Sequence, residues 1–402
     1  MKRLLPISIA CVAFLSLFSL FSGCKKNAQE RIPNKEKPFI FYNVQPLDIN
    51  SGKLDKALMN WNDKTYYVGC DALLSGFVQA RMISDFLTKS EPSKIDRNGD
   101  GVIGYVLCIG DNGHRDSRGR TEAVRKTLGT WNGSCEPKNV KEGSISIGGK
   151  TFKVQELDGK VMTGTDGSTW NAAASTEAMS NWVAKLGNSI DLVISNNDQM
   201  AMGCLQISNY PAGLPIFGYD AVIDAIEAIE AGKLTGTVSQ NADGQMEVTF
   251  QLLRNMFDGL TGEDVVTCGI TKPDSHGNLI SSKSVYLPEE KAFFIECLAV
   301  TKENCADFKV THRDEGIKQV SAPEKKIFFS TFSATDLFMS IVTQTARYYA
   351  PLFGLKGTYI GGDGYSESSI LDKFTNPGKF DAYVIGMLRE NSAHDYLDKL
   401  KY

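Results

Sequence analysis

Short apolar runs recur along the chain, and each closes near a glycine, asparagine or aspartate: PFIFYN (38–43), TYYVGCD (65–71), GYVLCIGD (104–111), DLVISNND (191–198), LPIFGYD (214–220), KIFFSTF (326–332) and DAYVIGM (381–387). Between them lie stretches with helical spacing, from Leu73 to Leu87 and from Asp220 to Ala231, where Gly232 ends the pattern. Strands that are apolar throughout, separated by helices, predict parallel sheets covered on both faces. In such sheets a ligand sits beyond the carboxyl ends of the strands, which is where Asn197, Asp198 and Asp220 fall. Two segments break the rhythm. SISIGGKTFKVQEL (144–157) alternates about Gly148-Gly149 and predicts a β-hairpin. It passes close to a phosphate loop, but Gly148 is followed by Gly149 rather than lysine, which argues against nucleotide binding there. Lys309 to Lys325 is charged, carries a single proline and reads as a linker.

A chain of 402 residues buries two cores of ordinary size. With 42% hydrophobic and 22% charged residues, it has the balance of a soluble globular protein. A net charge of −4 suits neither a phosphate backbone nor an anionic lipid surface, so nucleic-acid binding is disfavoured. Lys2 and Arg3 precede an apolar run from Leu4 to Phe21, then Ser22-Gly23-Cys24 and Lys25-Lys26. This order describes an export signal over 1–23. The cysteine looks like the acylation site of a bacterial lipoprotein, Cys24 then being the lipidated N-terminus and 24–37 a polar tether. An uncleaved anchor helix is the alternative.

Nine cysteines are present, and seven remain once Cys11 and Cys24 are set aside. An odd number without a CxxC pair argues against a zinc site or a complete disulfide framework. Cys70, Cys108 and Cys204 fall in apolar runs, where buried thiols are expected. Asp96, Asn98 and Asp100 supply oxygens at positions 1, 3 and 5 of a loop, Gly101 stands at 6 and the Val102 carbonyl at 7, a pattern suited to calcium. Leu107 at position 12 excludes an EF-hand, and a hydrogen-bonded turn without metal is the alternative.

DLVISNNDQMAMG (191–203), LPIFGYDAVIDAIEAIEAGKLTGTVSQNADGQ (214–245), YYVGCD (66–71), DRNGDGVIG (96–104), GHRDSRGRT (113–121) and Trp170 ahead of a helix keep the order they have in bacterial periplasmic glucose/galactose-binding proteins. The sequence resembles that family over residues 38–402, more thinly after Gly364. The family's opening strand and Asp-x-Phe-Met-Ser motif stand here at 326–342, as KIFFSTFSATDLFMSIV, with Asp336 and Phe338 in the motif positions. Its ending resembles 284–308. The resemblance therefore implies a circular permutant, with 309–325 joining old end to old beginning; seventeen extended residues reach at most about 60 Å.

The fold so implied is α/β, with two doubly wound parallel-sheet domains joined by a hinge, the periplasmic binding protein type I arrangement. One domain would hold 38–47, 240–294 and 326–402, and the other 48–239 and 295–308. A buried hexose needs a polar partner for each hydroxyl and aromatic faces for its C–H groups. The resemblance assigns Asp336, His114, Asp116, Arg120, Asn197, Asp220 and Gln240 to the hydroxyls and Phe338 and Trp170 to the ring. Gln240 replaces an asparagine, and Gly386 falls where the family has another. A distant carboxylate would close the calcium loop, and Asp191 occupies its place as a shorter residue than the family's glutamate. Taken one at a time, Asp336 also reads as a helix cap, the aromatics as core and the strand-end residues as turns.

The implied function is a non-enzymatic, monomeric, lipid-anchored periplasmic protein. It would bind D-glucose or D-galactose by hinge closure and deliver it to an ABC-type permease, with Ca2+ in a structural role. A sensor presenting the closed form to a membrane receptor is the alternative, and a carbohydrate-active enzyme a more remote one. A sugar-binding repressor is disfavoured, because an export signal and no helix-turn-helix precedes Pro38.

Overall fold

The computed structural model describes residues 34–48, 50–309, 317–363, 366–375 and 377–402. The expected signal segment, Cys24 and the tether before Asn34 lie outside these, as does 310–316 of the linker. The strands are β1 (Phe39–Tyr42), β2 (Thr65–Gly69), β3 (Val102–Ile109), β4 (Gly143–Ile147), β5 (Lys150–Val161), β6 (Leu192–Ser195) and β7 (Ile216–Phe217). They continue with β8 (Gly236–Ser239), β9 (Ser284–Leu287), β10 (Ala292–Ile295), β11 (Leu298–Thr301), β12 (Lys325–Thr331), β13 (Leu355–Gly361) and β14 (Ala382–Gly386). No helix among the described residues is long and apolar enough to cross a membrane.

Two seven-stranded sheets result, in the orders β13-β12-β14-β1-β2-β10-β9 and β11-β8-β7-β6-β3-β5-β4. Both are parallel except at their edges, where β9, β11 and β4 run antiparallel to their neighbours. The first sheet draws on both ends of the chain, since β14 pairs with β1 in the register Phe39↔Tyr383 and Ile40↔Val384. In β3, Val106 and Cys108 enter one apolar cluster while Tyr105, Leu107 and Ile109 enter another. Both faces of this strand are thus covered, which is why it is apolar throughout. The hairpin at 144–157 forms as β4 and β5, turning at Gly148 (φ 56°) and Gly149 (φ 79°), left-handed values that glycine adopts without strain.

One expected boundary moves. Residues 65–69 were assigned with the second domain, but β2 pairs with β1 and β10 in the first sheet. Its five residues are all buried there, so the chain crosses to the second lobe only after Gly69. The chain crosses again after β8, whose following helix Ala242–Phe257 packs on the first sheet, and between β10 and β11.

In the second lobe, helices Ala72–Lys89 and Arg115–Thr127 touch through backbone: a Cβ on Gly76 would come within 2.7 Å of the Gly119 carbonyl oxygen. That close crossing fixes the helix bearing Asp116 and Arg120. Behind it, Arg125 and Glu156 form a fully buried ion pair at 2.6 Å, with the Tyr105 hydroxyl donating to Glu156 Oε2 at 2.9 Å. Glu156→Ala strands the guanidinium charge and is expected to destabilise the protein by about 3–5 kcal/mol in urea unfolding. A loss below about 1 kcal/mol would contradict that role.

Candidate functional site

The carboxyl ends of both sheets face one cavity lined by Asn43, His114, Asp116, Arg120, Trp170, Asn197, Asp220, Gln240, Phe332, Asp336, Phe338 and Leu388. All nine residues singled out in the sequence are among them. Asn43, Phe332, Asp336, Phe338 and Leu388 follow strands β1, β12 and β14 of the first sheet, and the rest follow β3, β5, β6, β7 and β8 of the second. Residues more than 200 positions apart therefore converge where an α/β sheet places its ligands.

Several of these side chains also build the local backbone. Asp336 Oδ1 accepts from the Met339 N–H at 2.8 Å and Asn197 Oδ1 from Met200 N–H at 2.9 Å, so each caps the helix that follows it. His114 Nδ1 accepts from the Asp116 N–H at 3.2 Å. Capping and lining are thus compatible roles. Asp220 does not open a helix at all. It and Ala221 take positive φ values of 117° and 55°, which delays the helix expected from Asp220 to Ile223–Glu230 and leaves Asp220 in the cavity wall. Trp170 is likewise left-handed (φ 58°) and lies flat on Gly110, where a Cβ would meet its ring at 2.3 Å. Its ring stands edge-on to His114 at 5.5 Å.

Arg120 organises the cage. It is 3% exposed, donates to the Asn196 carbonyl at 2.7 Å, and lies 3.5 Å from Asp116 and 3.7 Å from Asp220. Its guanidinium sits 3.6 Å over the Tyr219 ring, and its Nε is buried without a hydrogen-bond partner. Arg120 offsets the burial of Asp220 only in part. Burial pushes the Asp220 carboxyl well above its usual range, with Asp198 and Asp336 adding to the effect and Arg120 and Gln240 opposing it. Gln240 Nε2 donates to Asp220 Oδ1 at 2.6 Å, so the longer amide serves that carboxylate. Burial also holds the His114 imidazole below its ordinary value, against the pull of Asp116 and Glu390.

The sequence reading missed Asn43, Phe332 and Leu388. Asn43 ends an apolar strand as Asn197 does, which was the available signal. Gly386 is absent from the lining, and a Cβ there would press on Tyr42 Oη at 2.6 Å, so Tyr42 occupies the space. The Asn43 amide stands on the neighbouring strand instead.

Behind the cage, burial raises the Asp198 carboxyl to about 7, against the Thr237 hydroxyl and Val222 N–H that donate to it. The folded protein then holds a proton that the unfolded chain releases near pH 4. Stability should therefore fall as pH rises from about 4 to about 7, by on the order of 1.4 kcal/mol per unit, and level off above. Melting curves at pH 5 and pH 8 check this. Asp198→Asn should flatten the slope.

The cavity measures 40 Å³, room for a few waters. Ion pairs cross between the lobes at its rim: Arg389 to Asp111 at 2.8 Å and Arg118 to Glu390 at 2.6 Å. Burial would raise Asp111, but Arg389, Gly113 N–H and Thr169 overcome it and hold the carboxyl low. These contacts describe a closed arrangement. Two larger spaces are present, one of them adjoining it. A 460 Å³ cleft shares Asp220 and Phe338 with the cage, and a 970 Å³ groove runs between Leu74 and Val285. Both are lined by polar and charged groups as well, but neither includes His114, Arg120, Trp170, Asn197 or Asp336.

The expected calcium ligands sit at one corner of the second lobe, engaged with backbone. Asp96 accepts from the N–H groups of Gly99, Asp100 and Gly101, and Asp191 from those of Arg97 and Gly104 at 2.9 and 2.7 Å. Burial, then the charges of Asp96 and Asp100, raise Asp191 to about 6. The set fits a cation by charge, yet among the described residues no three acidic, cysteine or histidine side chains converge to hold a metal.

A two-lobed α/β molecule with a polar, aromatic-flanked cavity between its sheets is the architecture of a solute-binding protein. Residues 27–261 match the family described as periplasmic binding protein domain, and residues 324–393 match a second family of the same description. The chain belongs to the periplasmic binding protein domain family. It is 31% identical over 224 residues to the D-galactose/methyl-galactoside binding periplasmic protein MglB of Haemophilus influenzae, 55% of this chain and 57% of that one. It is 35% identical over 105 residues to a xylitol-binding protein of Mycolicibacterium smegmatis, 25% of this chain and 29% of that one. The chain thus spans about half the length of the first of these curated relatives and less of the second. A solved structure of an ABC transporter solute binding protein from Bacillus halodurans with bound myo-inositol shares 19% identity, a TM-score of 0.39 and 68% coverage of each chain.

Proposed function

We propose that this protein binds one hexose, D-glucose or D-galactose, between its lobes and hands it to an ABC-type importer without chemical change. It would work as a monomer in the periplasm, held to a membrane through lipidated Cys24. One observation carries the reading: acceptor carboxylates, amides, a histidine, an arginine and three aromatic rings line a single interlobe cavity. Each sugar hydroxyl that donates to Asp220, Asp116 or Asp336 makes a charge-assisted bond, stronger than a neutral one. Such donors would favour the ionised form of Asp220, whose carboxyl burial raises. A pyranose exceeds a cavity of 40 Å³, so the lobes must part to admit it and reclose on it, and the sugar stabilises the closed state by its contacts to both. Titrating the intrinsic tryptophan fluorescence, to which Trp170 contributes with Trp61, Trp131 and Trp182, with glucose, galactose and ribose tests the reading. Saturable change with a hexose is expected. No response to either hexose would defeat it.

The reading includes circular permutation. The chain runs β12, β13, β14 and restarts at β1, β2, giving the order β13-β12-β14-β1-β2. The Asn34 N–H donates to the Lys401 carbonyl at 2.7 Å, so the two ends of the folded body meet. Fusing Tyr402 to Asn34 and opening the chain within 310–316 should give a protein that folds and binds as the parent does. An insoluble or non-binding product would count against the permutation. A structural Ca2+ at Asp96, Asn98, Asp100, Val102 and Asp191 belongs to the same reading, supported by the charges of Asp96 and Asp100 that add to burial in raising Asp191. Melting with calcium against chelator should show a higher midpoint with the ion, and identical midpoints would remove it.

A further inference from the structure

The sulfurs of Cys70 and Cys297 lie 2.9 Å apart, each side chain buried. Their places in the fold matter more than the contact. Cys70 stands between β2 of the first sheet and helix Ala72–Lys89 of the second lobe, and Cys297 between β10 and β11. Both are therefore on chain crossovers between the lobes. The third crossover touches the same point, since the Cys70 thiol donates to the Gln240 carbonyl at 3.4 Å and Gln245 Nε2 donates to that carbonyl at 2.9 Å. On the other side, the Tyr219 hydroxyl lies 3.9 Å from the Cys297 sulfur, and the Tyr219 ring carries Arg120. The pair thus joins three of the four passages of the chain between the lobes, the fourth being the return from β11 to β12, and backs directly on the sugar cage. It is also reachable: Cys297 lies on the wall of the 970 Å³ groove, beside Ser75 and Asp71. The other close pair, Cys108 and Cys204 at 3.5 Å, is sealed in the second lobe's core and lies on no crossover.

We propose that Cys70 and Cys297 form a redox modification site at the hinge, closing to a disulfide that ties two crossovers together. The oxidant is a small-molecule or protein disulfide of an oxidising compartment outside the cytoplasm, so its supply in the cell rests on the proposed export. The Cys297 thiolate, facing the groove, attacks one sulfur of R–S–S–R and expels R–S⁻. Cys70, deprotonated in turn, attacks the Cys297 sulfur of the mixed disulfide and expels the second R–S⁻. The two thiol protons end on two R–SH, the cysteines are oxidised by two electrons, and the external disulfide is reduced by two. Contact with Cys297 and burial push the Cys70 thiol well above its ordinary value. Little of Cys70 is thiolate at neutral pH, so the closing step is slow while the lobes are closed and quickens as they part. The bond formed fixes the crossovers against each other and restricts how far the lobes open.

Full-length protein is incubated with oxidised glutathione, alkylated, digested without reductant and mapped by mass spectrometry. A cross-linked Cys70–Cys297 peptide, lighter by two hydrogens than the sum of its parts, is expected, with Cys108 and Cys204 recovered alkylated. Complete alkylation of Cys70 and Cys297, or their recovery only as glutathione adducts, overturns the site. This readout needs no sugar, so its failure is separable from failure of the binding assay. Amide exchange across residues 69–71, 239–241 and 296–297 should slow about tenfold in the oxidised form, since a cross-link suppresses local opening. Unchanged exchange in a cross-linked sample overturns the restraint. Cys297→Ser should abolish the cross-linked peptide, and the wild-type map decides alone if that variant does not fold.

Discussion

Asp336→Asn is expected to weaken binding of the proposed hexose by about 10- to 150-fold and to leave the unfolding midpoint almost where it was. The helix Leu337–Leu352 begins with the Asp336 oxygen accepting from Met339 N–H, and asparagine caps a helix nearly as well as aspartate. What the substitution removes is the charge. A charge-assisted hydrogen bond contributes about 1.5–3 kcal/mol, which sets the expected range. Asp336→Ala loses cap and charge together, and should cost about 1 kcal/mol of stability as well. Affinity and urea unfolding measured on both variants separate the two roles. Unchanged affinity in Asp336→Asn would confine the residue to capping.

Arg120→Met is expected to abolish the proposed sugar binding, by more than about 100-fold, and to destabilise the fold in a pH-dependent way. Arg120 is the one permanent cation in the cavity lining, set against Asp116 and Asp220. Removing one partner of a buried pair costs about 3–5 kcal/mol when the other stays charged. Asp220 can avoid part of that by keeping a proton, because its carboxyl is already raised and rises further without the guanidinium. A raised folded-state carboxyl loses stability as pH climbs above its unfolded value near 4. The variant should therefore be less impaired at pH 5.5 than at pH 8 in urea unfolding. Equal losses at both values would mean that Asp220 does not take up the charge imbalance.

Much of the fold was legible because strands buried on both faces must be apolar throughout, as PFIFYN, GYVLCIG and DLVISN are, and because glycines such as Gly148-Gly149 mark their own turn. Residues 65–69 went to the wrong sheet for a plain reason. A buried parallel strand carries no label of its partner, and β2 finds β1 only through tertiary register. The late start of the helix after Asp220 was equally hidden, since Asp220 and Ala221 hold positive φ without being glycine. Local rules fail most often where a site requires strain, and here that residue lines the cavity. The lining residues known from motifs were visible in sequence, and Asn43 carried a strand-end signal that went unused, whereas the pairing of Asp111 with Arg389, 278 positions away, left no local trace. Such contacts depend on which strands become neighbours, and Cys70 and Cys297 meet for the same reason.

The central claim is that one pyranose fits between the two sheets, held from both sides. Calorimetric titration of the full-length protein with D-glucose and D-galactose tests it most directly. The account predicts saturable binding of one sugar per chain to at least one of them, with a negative heat-capacity change from closure, and its loss in Arg120→Met. No heat of binding with either hexose, or binding that survives in Arg120→Met undiminished, would contradict it.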